Sequence, residues 1–198
     1  LKKIGKDRGS SVKVAVLDTG IDADHPDFKH IREKILKNAR SFLLLSGWRD
    51  GHGHGTHVAS TICGSGKSGS DKIRAGIAPW VDLYPCKVLT DKGSGSTLEI
   101  VEAMRWAAVD ANVDIVSMSL GGGTGCRGDC LLCATADLLS EAYGTIFVVS
   151  AGNSGRGAQF ASLTCPANSS HSVVVGAGDL DSKVAVFSSR GKSQNPAR

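Results

Sequence analysis

Five short apolar stretches rich in β-branched residues punctuate the chain, at 12–17, 81–88, 113–118, 146–150 and 172–175. Each is a near-continuous hydrophobic run rather than an alternation, as in strands covered on both faces. Longer stretches of helical period lie between most of them. Within 97–110, Leu98, Val101, Met104 (or Arg105) and Ala108 fall on one face at a spacing near 3.6 residues. Residues 131–143 repeat the pattern and meet Gly144, a fitting helix stop. A short helix is expected at 57–63, ending at Gly64. Strands alternating with helices predict an α/β fold: a doubly wound, mainly parallel sheet with helices on both faces. In such folds chemistry collects beyond the carboxyl ends of the strands. The Gly- and Ser-rich stretch 64–72 and the segment 121–129 read as surface loops, and the polar tail 190–198 as frayed.

With 198 residues, 41% of them hydrophobic, one domain spanning 1–198 is expected. No apolar run reaches the roughly 18 residues of a membrane span, so no membrane partner is expected. The net charge of +4 is mild. A basic start (Lys2, Lys3, Lys6, Arg8) and a basic stretch at 29–40 read as solvated faces. No aromatic residues interleave with those charges, which argues against nucleic acid. The start Leu1-Lys-Lys-Ile-Gly5 has neither an initiating Met nor an apolar signal region and reads as part of a processed or excised segment. Six cysteines are present: Cys63, Cys86, Cys126, Cys130, Cys133 and Cys165. Cys63 and Cys86 sit in apolar contexts and read as buried thiols. Cys126-Arg-Gly-Asp-Cys130-Leu-Leu-Cys133 is crowded enough for zinc, but without a companion pair the signal is weak. Disulfides are the favoured reading for some of these, and Cys165 is within reach of the cluster.

Three segments carry candidate chemistry. Asp18 follows the first strand directly, where a partly buried carboxylate can orient an imidazole, and Gly20 allows a sharp exit. Asp50-Gly-His-Gly-His-Gly-Thr-His57 holds three histidines. They read either as a metal cluster or, preferably, as one functional His at a helix N-terminus between glycines, since no further ligand lies at helical spacing. In Val148-Val-Ser-Ala-Gly-Asn-Ser-Gly155, Asn153 follows a strand among small residues, where its amide could donate to an oxyanion.

Taken together these segments resemble the subtilisin-like serine peptidases over nearly the whole chain. The resemblance rests on Val14-Ala-Val-Leu-Asp-Thr-Gly-Ile-Asp22 with His25-Pro-Asp-Phe28, His54-Gly-Thr-His-Val-Ala59, Ser117-Met-Ser-Leu-Gly-Gly122, Ala151-Gly-Asn-Ser-Gly155 and Phe187-Ser-Ser-Arg-Gly191. It implies Asp18 as triad acid, His54 as general base, Asn153 as oxyanion donor, and a structural role for His57. It also implies that Gly93, Ser94 and Gly95 pair with an extended polypeptide substrate, with Ser119, Leu120 and Gly121 as the opposite wall. Ser119–Gly121 and Ser150, Ala151 and Gly152 would line the pocket for the residue before the scissile bond. Calcium is the structural ion the resemblance implies, with Asp27 as one carboxylate ligand. The loop expected to complete that site, 65–74, lacks the familiar pattern. Secretion is implied in the same way, as is a propeptide or a C-terminal segment as partner.

The Gly-Thr-Ser segment that carries the family's nucleophile does not occur in the sequence. The expectation is therefore a serine endopeptidase whose C-terminal part, serine included, is missing, so that this chain alone is inactive. Two other readings compete with it. One is a nucleophile-less pseudo-peptidase that binds extended peptides; the other is a metal-binding protein using His52, His54, His57 and the cysteine cluster.

Overall fold

The computed structural model describes residues 8–67, 76–124, 126–155 and 162–191. The elements run β1 (Lys13–Asp18), a 3-10 turn (Pro26–Phe28), α1 (Arg32–Asn38), β2 (Arg40–Ser41), α2 (His54–Cys63), β3 (Asp82–Lys87), α3 (Thr97–Arg105), a π turn (Trp106–Asp110) and β4 (Ile115–Met118). They continue with β5 (Gly122–Thr124), α4 (Leu131–Tyr143), β6 (Ile146–Ser150), β7 (Thr164–Cys165) and β8 (Val173–Val175). Six strands form one sheet in the order β2-β3-β1-β4-β6-β8. Every pairing in it is parallel.

The two-residue period of β1 shows why the apolar runs are continuous. Ala15 and Leu17 point into one core with Cys86, Val116, Met118, Phe147 and Val149, under α3 and α4. Val14 and Val16 point into the other with Leu83, under α1 and α2. Both faces are thus covered, and the expected α/β architecture is the observed one. The chain leaves β1 toward β3 and β2, and leaves β4 toward β6 and β8. The order therefore reverses beside β1 and β4, where an open crevice forms at the strand ends.

Several elements differ from expectation. Leu98 is 72% exposed, while Ile100, Ala103, Met104, Ala107 and Ala108 are buried. The core-facing stripe of α3 is therefore rotated and built largely of alanines, whose small side chains let the helix lie close to the sheet. A capping box fixes its start: Ser96 Oγ accepts from Glu99 N (3.3 Å) and Ser96 N donates to Glu99 Oε2 (3.1 Å). Helix α2 begins at His54 rather than at 57, for a reason given below. Within 121–129, the expected loop contains β5, which pairs antiparallel with β7. The basic stretch 29–40 holds α1 and β2; there Arg32 bonds Asp24 (2.7 Å) and the Arg40 guanidinium lies 4.8 Å from the centre of the Trp106 ring. Lys2, Lys3, Lys6, residues 68–74 of the expected calcium loop and positions 192–198 of the tail lie outside the described residues. At the far edge, β8 leaves Val173 and Val175 each 52% exposed. No helix among the described residues is long and apolar enough to cross a membrane.

Candidate active site

Asp18 is the last residue of β1 and its side chain is 1% exposed. Its Oδ1 accepts from Thr19 N at 2.7 Å and lies 2.7 Å from His54 Nδ1. Among the described residues Oδ2 has no hydrogen-bond partner. His54 opens α2 and is 45% exposed, so the ring is anchored on its Nδ1 side and open to the cleft elsewhere.

Close backbone approach makes this contact. A side chain at Gly55 would collide with the Gly20 carbonyl and stand 3.2 Å from Asp18 Cβ. Only glycine lets the first turn of α2 rest on the turn leaving β1. Thr19 Oγ1 accepts from Gly55 N (2.9 Å) and donates to Asp50 Oδ1 (2.9 Å), tying the strand end to the helix start. Asp50 Oδ1 also accepts from His52 N (2.9 Å) and Gly53 N (2.8 Å). Its Oδ2 accepts from Thr56 N (2.9 Å) and Thr56 Oγ1 (2.6 Å). Burial alone would raise the Asp50 pKa, but the Thr56 hydroxyl and the Gly53, Thr56 and His52 amides outweigh it and hold it well below the usual carboxylate range. With the N–H groups of Gly53 and Thr56 met by this carboxylate and that of Gly55 by Thr19, the helix starts three residues earlier than the apolar pattern indicates. Beneath them Lys87, 2% exposed, donates to Thr19 O (2.5 Å) and Asp91 Oδ1 (2.6 Å).

Asn153 is exposed in the turn after β6. Gly152 precedes it at φ +103°, and a Cβ there would stand 2.6 Å from Thr164 Oγ1. Ser189 holds this turn: its N donates to Gly152 O (2.9 Å) and its Oγ accepts from Ser154 N (3.0 Å). Ser189 thus acts as a strut behind the turn, while the buried Ser188 accepts from Ala177 N (3.0 Å).

A cleft of about 1120 Å³ joins these parts. Drug-sized ligand pockets span roughly 300–1,000 Å³, so the volume suits several residues of a peptide. His54 and Asn153 line it with Gly93, Ser94 and Gly95 on one side and Ser119, Leu120 and Gly121 on the other. Ser150 and Gly152 also line it, whereas Ala151 is buried, with its N–H bonded to Val175 O and its carbonyl to Thr164 N. Ala151 therefore sits behind the wall. His52 reaches the cleft too, its ring centre 6.2 Å from that of His54. His57 is exposed on α2. The only group of His, Cys, Asp and Glu at mutual ligand distance among the described residues is Cys126, Cys130, Cys133 and Cys165, so the three histidines do not converge on a metal.

Asp27 stands apart, in the 3-10 turn behind α2. Its Oδ1 accepts from Lys67 N (3.0 Å) and Ser65 Oγ (3.4 Å). These contacts are donors, whereas calcium needs about six to eight oxygen acceptors. Residues 68–74 of the loop expected to complete that site lie outside the described residues, and the ion takes no part in the chemistry below. Cys63 and Cys86 are free and buried as expected; burial pushes the Cys63 thiol up to about 12 and raises Cys86 as well.

Motif residues in the sequence singled out Asp18, His54, Asn153 and most of the residues that line the cleft. They did not single out Thr19, Asp50, Lys87 or Ser189, which position them. The Asp at the head of the Gly-His repeat was the available signal: a carboxylate just before a helix start commonly caps it.

The subtilase family matches residues 9–198. The chain is 36% identical over 186 residues to subtilisin DY of Bacillus licheniformis, covering 93% of this chain and 62% of that protein. Against subtilisin E of Bacillus subtilis the identity is 36% over 187 residues, covering 92% and 45%. Subtilisin Savinase of Lederbergia lenta is also 36% identical, over 184 residues, covering 92% and 61%. The chain thus spans between 45% and 62% of the length of these relatives. A buried strand-end carboxylate, a helix-start histidine and a parallel sheet reversing beside them agree with a match running through almost every described residue: the chain belongs to the subtilase family of serine peptidases.

Proposed function

We propose that the protein carrying this chain is a serine endopeptidase that cleaves extended polypeptides, with Asp18 and His54 as two members of its triad. The observation that carries this reading is the 2.7 Å contact between buried Asp18 Oδ1 and His54 Nδ1, opening on a cleft that Asn153 shares. With Nδ1 engaged by the carboxylate, Nε2 is the ring nitrogen left to exchange a proton in the cleft.

The nucleophile in this proposal is a serine that these 198 residues do not include. Its hydroxyl oxygen bonds the scissile carbonyl carbon as its proton passes to His54. The carbonyl π pair moves onto oxygen, where the Asn153 amide donates a hydrogen bond. When the carbonyl re-forms, the C–N bond breaks and the departing amine takes the proton from His54. Water then repeats the sequence on the acyl-serine. Gly93–Gly95 and Ser119–Gly121 hold the substrate backbone between them. Without the serine, the 198-residue chain alone is inactive. A propeptide or the segment bearing the serine is its natural partner, and the setting inferred from the family is extracellular.

Hydrolysis of a peptide anilide by the intact protein tests the proposal. Turnover should vanish on His54→Ala and on treatment with a serine-directed phosphonate. Turnover that survives His54→Ala removes His54 from the role of base. An intact protein that binds extended peptides but never cleaves them is instead a peptide-binding relative.

A further inference from the structure

The four cysteines beside the cleft have no part in that chemistry. Their sulfurs lie within 4.8 Å of one another, two of the residues being buried and two half-buried. We propose that Cys126, Cys130, Cys133 and Cys165 form a tetrahedral thiolate site for a divalent metal of the zinc type.

The spacing supports it. Ligands about 2.3 Å from a tetrahedral ion stand about 3.8 Å apart along each edge. Cys126 Sγ and Cys133 Sγ are 3.8 Å apart, and Cys133 Sγ and Cys165 Sγ are 3.6 Å apart. The structure joins Cys130 and Cys165 as a disulfide, the pairing of Cys165 with the cluster that the sequence allowed, yet their Cα atoms are 7.5 Å apart. Disulfides usually hold Cα atoms within about 4.4–6.8 Å, whereas ligands on opposite sides of an ion sit farther apart. That bond leaves Cys126 and Cys133 as two free thiols in contact with no bond between them. An ion takes all four sulfurs equally.

The surrounding backbone suits anionic sulfur. Cys130 is the N-cap of α4 and Cys133 lies in its first turn, where the free N–H groups of the helix favour negative charge. Gly128 N donates to Cys126 Sγ at 3.3 Å. The donor set is sulfur alone, which selects zinc over calcium or magnesium. Four protein ligands leave no open position, so the ion is structural. On binding, each thiol releases its proton to solvent and forms one metal–sulfur bond; no electrons are transferred. The site would tie the start of α4 to β7 and, through the β5–β7 pairing, to the wall at Gly121.

The test is metal content of the intact protein, purified with reductant and without chelator. About one zinc per chain is expected, falling below about a tenth in Cys126→Ser and Cys133→Ser. Cys63→Ser, Cys86→Ser and His54→Ala should keep the metal. Replacing zinc with cobalt in the wild-type protein should give the intense visible absorption of a tetrahedral cobalt thiolate, a readout that needs no variant to fold. Reduced wild-type protein that takes up neither ion overturns the proposal. So does an intact-mass measurement finding Cys130–Cys165 and Cys126–Cys133 as disulfides in metal-free protein, or zinc lost on His54→Ala. None of these readings depends on peptide hydrolysis, so this site and the peptidase assignment fail or stand separately.

Discussion

Asp50 offers the sharpest test of how the site is built. One carboxylate collects five donors: the amides of His52, Gly53 and Thr56 and the hydroxyls of Thr19 and Thr56. Asp50→Asn keeps the shape and the Oδ1 bonds but turns Oδ2 into an N–H₂ facing the Thr56 amide. The Thr56 hydroxyl can rotate to accept; the amide cannot. One charge-assisted bond, worth roughly 1.5–3 kcal/mol, is thus lost, and the three at Oδ1 lose their charge assistance, for a total of about 3 kcal/mol. Urea unfolding of the intact protein and the variant at pH 7 measures this gap.

The pH dependence supplies an independent check. The folded pKa of Asp50 lies below its ordinary value of 3.8, so its contribution is complete above that value. As pH falls below it, the unfolded chain takes up the proton first and the contribution shrinks by at most about 1.4 kcal/mol per pH unit. Asparagine does not titrate, so the gap between the two proteins should narrow on acidification. A gap under about 1 kcal/mol at pH 7, or one that stays constant down to pH 2.5, would refute the assigned role.

Three further outcomes are expected. Gly55→Ala should push α2 off the β1 turn and break the Asp18–His54 contact, so that peptide turnover by the intact protein collapses; unchanged kcat would show that the approach is not required. Asp91→Asn leaves the buried Lys87 ammonium without its carboxylate and should cost about 1–3 kcal/mol in denaturant unfolding, and an unchanged midpoint would count against the pair. Ser96→Ala removes the capping box of α3 and should cost about 1 kcal/mol, visible as a lower melting temperature.

The sheet was legible because both of its faces are covered: each central strand is an unbroken apolar run whichever side a residue points to. The two-residue β2 and β7 carry no such run, and they exist through pairing with distant partners. Helix α1 was hidden because Arg32-Glu-Lys-Ile-Leu-Lys-Asn38 buries only Ile35, and its charges dominate the reading. In α3 the buried alanines were passed over for the larger Leu98, which points outward. Asp18, His54 and Asn153 were legible as motif residues. Asp50, Lys87 and Ser189 were not, because their partners are mainly backbone groups and residues brought close by folding. Cys165 was legible as a residue within reach of the 126–133 cluster, but which of those cysteines it meets is set only by folding.

The central place of β1 has a consequence in time. Its register is set on one side by β3, with Lys13 opposite Asp82, and on the other by β4, with Val14 opposite Ile115. Until those remote segments have been synthesised and have closed around it, nothing buries Asp18 or fixes the turn on which α2 rests. Loop closures of this length are slow and gain nothing until the pairing is complete. Asp18 and His54 are therefore kept apart in a nascent or partly unfolded chain. The order of assembly itself delays completion of this site until most of the sheet exists.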